Sequence, residues 1–153
     1  MPYIWMMMQV LSFGEVVTIV NNLKPEYVQL FLAHFNLRSN EARGIFVSLN
    51  KLRNACAHHN RIWNNKIDEC PKIPRILALK NAEQWVDKIN DKQTLALMYF
   101  ILLHMLEALH PSKSIKFKQD FSLWVQQLCN TPQRRHYLAR IGFSEAVLTG
   151  LFV

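Results

Sequence analysis

Apolar residues return at intervals of three and four along almost the whole chain, and no stretch alternates apolar with polar residues between hairpin dipeptides such as Asn-Gly. That periodicity favours helices over sheet. The expected fold is all-α, a helical bundle of four main helices with short accessory ones, each turning an apolar stripe to a shared interior. At 153 residues a single domain over 1–153 is expected, because compact domains cluster at about 100–150 residues. Half of the residues are hydrophobic, 19% are charged and only 4 are Gly, which argues against a disordered chain or a disulfide scaffold.

The pattern places a first helix from about Trp5 to Asn22, weakened locally by Gly14 and closed before Pro25. A second runs from Pro25 to about Phe35, with Pro and Glu26 in its first turn and Tyr27, Leu30, Phe31 and His34 or Phe35 as its inward stripe. A third starts after Ser39 or Asn40 as N-cap and reaches about His59. Asn60 to Pro74 reads as a long surface loop, and Glu83 to Ile89 as a short helix. Asp91 is expected to cap a long apolar helix that ends at His110-Pro111, followed by an amphipathic helix over Ile115 to Cys129 and a last short piece from Pro132.

Eighteen Lys and Arg against 11 Asp and Glu leave a net charge of +7, which favours an anionic partner such as nucleic acid. The apolar run from Thr94 to Leu109 is too short to span a bilayer and carries His104 and Glu107, so it reads as a buried core helix. Met6-Met7-Met8 is read as packing. Cys56, Cys70 and Cys129 are odd in number and irregular in spacing, and no secretory leader pattern is evident, so the cytoplasm is the expected compartment.

The densest polar cluster lies at the end of the third helix, Arg53-Asn54-Ala55-Cys56-Ala57-His58-His59-Asn60-Arg61, preceded by Lys51. At about 100° per residue, Ile45, Leu49, Leu52 and Cys56 share the core side, Lys51, Asn54 and His58 point away from it, and Arg53 sits on the flank. His58 is therefore not needed for packing and is free for chemistry. His59 falls nearer the core boundary and ranks second, as a hydrogen-bond donor before a titrating group. An ordinary alternative is that Arg, His and Asn are favoured near any helix C-terminus by its dipole and orphan carbonyls. A metal site from Cys56, His58, His59 and Cys70 fits no familiar zinc spacing. Serine or cysteine nucleophiles lack a supporting motif, and base stacking on Trp63 competes with a core role for that ring.

The segments Pro2-Tyr3-Ile4-Trp5, Leu11-Ser12-Phe13-Gly14 and Leu52-Arg53-Asn54-Ala55-Cys56-Ala57-His58-His59-Asn60-Arg61-Ile62-Trp63-Asn64 resemble the abortive-infection D/F-like family of bacterial phage-resistance proteins. The last block carries the Arg-Asn-x3-His form of the motif of HEPN domains, many of which are ribonucleases. Members of that family carry a substantial portion ahead of the Pro-x-x-Trp segment, at which this chain begins, so it reads as an N-terminally shortened member. Gln9 stands where the family pattern has Glu.

The resemblance implies a homodimer with a composite active site, RNA as substrate, no metal or other cofactor, and a phage-derived trigger as a further partner. It implies attack of an RNA 2′-hydroxyl on the adjacent phosphate. His58 would be general base or acid, since an imidazole titrates near neutral pH. Arg53 would stabilise the phosphorane and Asn54 would orient the histidine or the phosphate, while His59 stands beside them and Lys51, Asn60 and Arg61 hold the flanking RNA. Two other classes of function stay open: a catalytically silent module that binds RNA, nucleotide or a partner protein, and a purely structural helical domain.

Overall fold

The computed structural model describes residues 6, 9–60, 62, 95–129, 140, 142 and 143. Among them are five helices, α1 (Phe13–Asn22), α2 (Pro25–Ala33), α3 (Ser39–Ala57), α4 (Leu95–Leu109) and α5 (Pro111–Cys129), and no strand, so the fold is all-α. The expected elements at Glu83 to Ile89 and from Pro132, the loop from Arg61 to Pro74 apart from Ile62, and the cap at Asp91 lie outside the described residues.

The expected helix from Trp5 to Asn22 is interrupted. Met6, Gln9 and Val10 are helical, Leu11 bends, and Ser12 then caps a new helix. The capping box is complete: Ser12 Oγ accepts from the Glu15 N–H at 3.3 Å, and the Glu15 carboxylate accepts from the Ser12 N–H at 2.6 Å. Those two bonds satisfy donors that a continuous helix would not have exposed. They also hold the exposed Glu15 carboxyl below its ordinary value, the Ser12 side chain and backbone being the cause. Met6 is exposed, so the packing role read for it does not hold.

Pro25 opens α2 at a position where a missing N–H costs nothing. The inward face of α2 is Val28, Phe31 and Leu32, continued by Phe35, whereas Tyr27, Leu30 and His34 are exposed. The expected stripe is thus displaced by one residue. The chain leaves α2 through Asn36 in the left-handed region (φ 51°), with Leu37 N–H donating to the Leu32 carbonyl at 3.2 Å and Asn36 N–H to Ala33 at 3.1 Å. This is the double closure of a Schellman turn.

Arg38, and not Ser39 or Asn40, is the N-cap of α3. The Glu41 carboxylate accepts from the Arg38 N–H at 3.0 Å, which places an acid on the positive end of the helix. From there α3 sinks Ala42, Ile45, Phe46 and Leu49 into the core, with Ile45 wholly buried.

The apolar helix α4 is the centre of the bundle, with Ala96 to Ile101 all buried. His104 is buried beside them, and its Nε2–H donates to the Phe35 carbonyl at 2.7 Å, tying α4 to the turn between α2 and α3. α5 begins at Pro111, four residues earlier than expected, because Pro serves as a first helical residue as well as a stop. It packs on α4 through Tyr99, whose ring stacks on Phe121 with centroids 4.0 Å apart and on Phe117 at 5.2 Å. Lys118 and Glu107 add a surface ion pair at 2.7 Å. No described helix is long and apolar enough to cross a membrane.

Candidate active site at the end of helix α3

The last two turns of α3 carry the polar cluster, and the way the helix stops decides where each side chain stands. His58 is the C-cap at φ −94°, ψ 12°, in the sparsely allowed bridge region where many active-site residues sit. His59 follows in the left-handed region at φ 52°. Asn60 N–H donates to the Ala55 carbonyl at 2.9 Å and His59 N–H to Cys56 at 3.2 Å. These are the two bonds of a second Schellman turn, with histidine in the place usually held by glycine. His59 is exposed and not at the core boundary. Its backbone closes the turn.

Lys51, Asn54 and His58 are exposed, as their position away from the core predicts, and so are Arg53, expected on the flank, and Asn60, while Arg61 and Trp63 lie outside the described residues. Arg53 Nη1 donates to Asn54 Oδ1 at 3.0 Å. That contact uses one of five guanidinium N–H groups and leaves the fork able to meet a phosphate. Asn54 and His58 are one turn apart, and the His58 N–H donates to the Asn54 carbonyl at 3.0 Å. Five positions separate Arg53 from His58, which sets them about 140° apart around the helix and about 7.5 Å apart along it. One helix therefore brings Arg53 to Asn54 and Asn54 toward His58, but does not close all three on a single point.

Cys56, expected in the interior, is exposed. The apolar stripe Ile45, Leu49, Leu52 is continuous with it, yet Leu52 is only half-buried and the core ends before Cys56. Beyond that edge, α1, α3 and α4 diverge around an open apolar groove of about 550 Å³, lined by Phe13, Leu52, Cys56, Met105 and Leu109, with Arg53 on its border. Arg53 thus stands between an apolar groove and a polar helix face. No cluster of three or more His, Cys, Asp or Glu side chains suited to a metal occurs among the described residues, and Cys70 lies outside them.

One polar residue of this face was not singled out from the sequence. Asn50 falls between Arg53 and Asn54 on the helix circumference, one turn earlier, where α1 crosses α3 at Gly14. Its position one turn before Asn54 was the available signal. No curated protein and no solved structure matches the chain. Residues 1–64, which contain the positions of the candidate site, are similar to the family described as Abi-like protein.

Proposed function

We propose that the chain is a metal-independent endoribonuclease of the HEPN type, acting in abortive-infection phage defence. The Abi-like match over residues 1–64 suggests the defence role. The chemistry rests on one observation above the others: Arg53, Asn54 and His58 are exposed together on the last turns of α3, with Arg53 already held by Asn54.

In this scheme the 2′-hydroxyl of an RNA nucleotide attacks its own 3′-phosphate. A P–O2′ bond forms, the P–O5′ bond breaks, and the proton of the 2′-hydroxyl passes to a base while an acid protonates the departing 5′-oxygen. His58 serves as one of these groups. Arg53 stabilises the charge that accumulates on the phosphorane oxygens, where a preorganised cation lowers the barrier most. Asn54 holds Arg53 in place. Lys51, Asn60 and Arg61 hold flanking phosphates, a sequence-independent contribution that the net charge of +7 reinforces. The products are a 2′,3′-cyclic phosphate and a 5′-hydroxyl, and DNA is inert because it lacks the attacking group.

The angular separation of Arg53 and His58 favours a composite site. Two copies of α3 meeting about a two-fold axis would set Arg53 of one protomer beside the partner's His58, twice per dimer. Mixing Arg53→Ala and His58→Ala chains tests this. Random pairing makes half of the dimers mixed, each with one intact site of two, so the account expects about a quarter of the wild-type RNA cleavage. No recovery from two individually inactive variants, beside an active wild type, would rule out the shared site. The same separation also suits a silent module in which Lys51 and Arg53 bind phosphates without cleavage, and an inactive wild type that still binds RNA would favour it.

A further inference from the structure

Asn50 takes no part in the scheme above, and three observations give it one. It lies on the same arc of α3 as the site, roughly 60° from Arg53 and 40° from Asn54, and about 5 Å before them along the helix axis. It is half-buried and its carboxamide lies beside Gly14, where an added Cβ would stand 3.4 Å from its Nδ2 and 3.6 Å from its Oδ1. Its amide forms no hydrogen bond among the described residues. An interior helical asparagine costs stability relative to alanine, and this one, packed beside Gly14, caps no helix.

We propose that Asn50 reads the base of the nucleotide beside the scissile phosphate, with adenine preferred. The proposal rests on the ribonuclease reading for its substrate. A carboxamide offers one acceptor and two donors, and its side-by-side O and N match the N6 and N7 edge of adenine, the usual partner of Asn. Single-stranded RNA exposes that edge, since its bases can be splayed from the stack. One helical turn is comparable with the distance from a phosphate to the base it carries. Gly14, having no Cβ, leaves room for the amide beside α1.

The test uses four single-stranded RNAs that differ only in the base flanking one cleavage site, each also made with a 2′-deoxy sugar at that site so that it binds without being cut. The full chain is expected to favour adenine about tenfold, in the range of one bidentate base contact. Asn50→Ala should bring the four RNAs to within about twofold of one another. Asn50→Asp, which accepts but cannot donate, should move the preference to cytosine, whose N4 donates; a purely structural role would not produce that exchange.

Wild-type cleavage whose base preference is unchanged in both variants would overturn the inference and leave the ribonuclease reading intact. An Asn50-dependent preference in binding, with no cleavage of any RNA by wild type, would support the base contact and overturn the ribonuclease. Equal binding and cleavage of all four RNAs by wild type would also overturn the inference.

Discussion

Replacing His59 by glycine is expected to stabilise the protein, although the residue belongs to the polar cluster. His59 holds φ 52° so that α3 can close on Ala55 and Cys56. For an L-residue the left-handed conformation costs roughly 1–2 kcal/mol, and glycine carries no such cost. Against that, glycine widens the unfolded ensemble by about 0.4–1 kcal/mol. The net gain is roughly 0.5–1 kcal/mol, or about 1–4 °C in Tm for a chain of this size. Urea titration of both proteins followed by circular dichroism measures it, the slopes being required to agree. A loss of about 1 kcal/mol or more in His59→Gly would mean that the imidazole makes a stabilising contact and that the turn is not its role. Asn36→Gly is the internal comparison: the geometry is the same, at φ 51°, but asparagine tolerates it better and the gain should be smaller.

Three further outcomes are expected. Ile45→Ala, at a wholly buried site, should cost about 2–5 kcal/mol in denaturant unfolding, and a loss under about 1 kcal/mol would contradict the packing described for α3. In an NMR titration, the Glu15 carboxyl should have its midpoint below that of an ordinary glutamate, because the Ser12 bonds favour the ionised form. That contribution is present above the unfolded carboxyl range and is lost as the pH falls through the lowered folded value; Ser12→Ala, which removes the hydroxyl and keeps the backbone N–H, should reduce the shift without abolishing it. Tyr99 is pushed up to about 12 by burial and the nearby Glu107. Its contribution is full below the unfolded value near 10 and is lost as the pH rises from there toward 12, so Tyr99→Phe should remove that alkaline loss. Because the Tyr99 hydroxyl is buried with no hydrogen-bond partner among the described residues, the same variant should be neutral or stabilising at pH 7.

The helical class, the extent of α3 and the outward position of Lys51, Asn54 and His58 were legible because a 3.6-residue period says which residues share a face. Where two faces satisfy the same period, the chain alone does not choose between them. Tyr27, Leu30 and Phe31 on α2 repeat as well as Val28, Phe31, Leu32 and Phe35, and only packing against α3 and α4 selects the second set. Periodicity also cannot show where a core stops, which is why Cys56 continues the buried stripe in register yet lies exposed. Ser12-x-x-Glu15 is a local signal for a helix start, masked by apolar residues on both sides. The turn at His59 lacked the glycine that usually announces it. Asn50 depends on Gly14, thirty-six residues earlier, and such a pairing exists only once α1 lies across α3.

The central claim is tested most directly by incubating mixed cellular RNA with the purified chain in EDTA, beside an Arg53→Ala/His58→Ala double variant, and determining the ends of any fragments. The account predicts 2′,3′-cyclic phosphate and 5′-hydroxyl ends that appear with the wild-type chain and vanish with the variant. Cleavage that persists in the double variant, requires a divalent metal or leaves 5′-phosphate ends would contradict it.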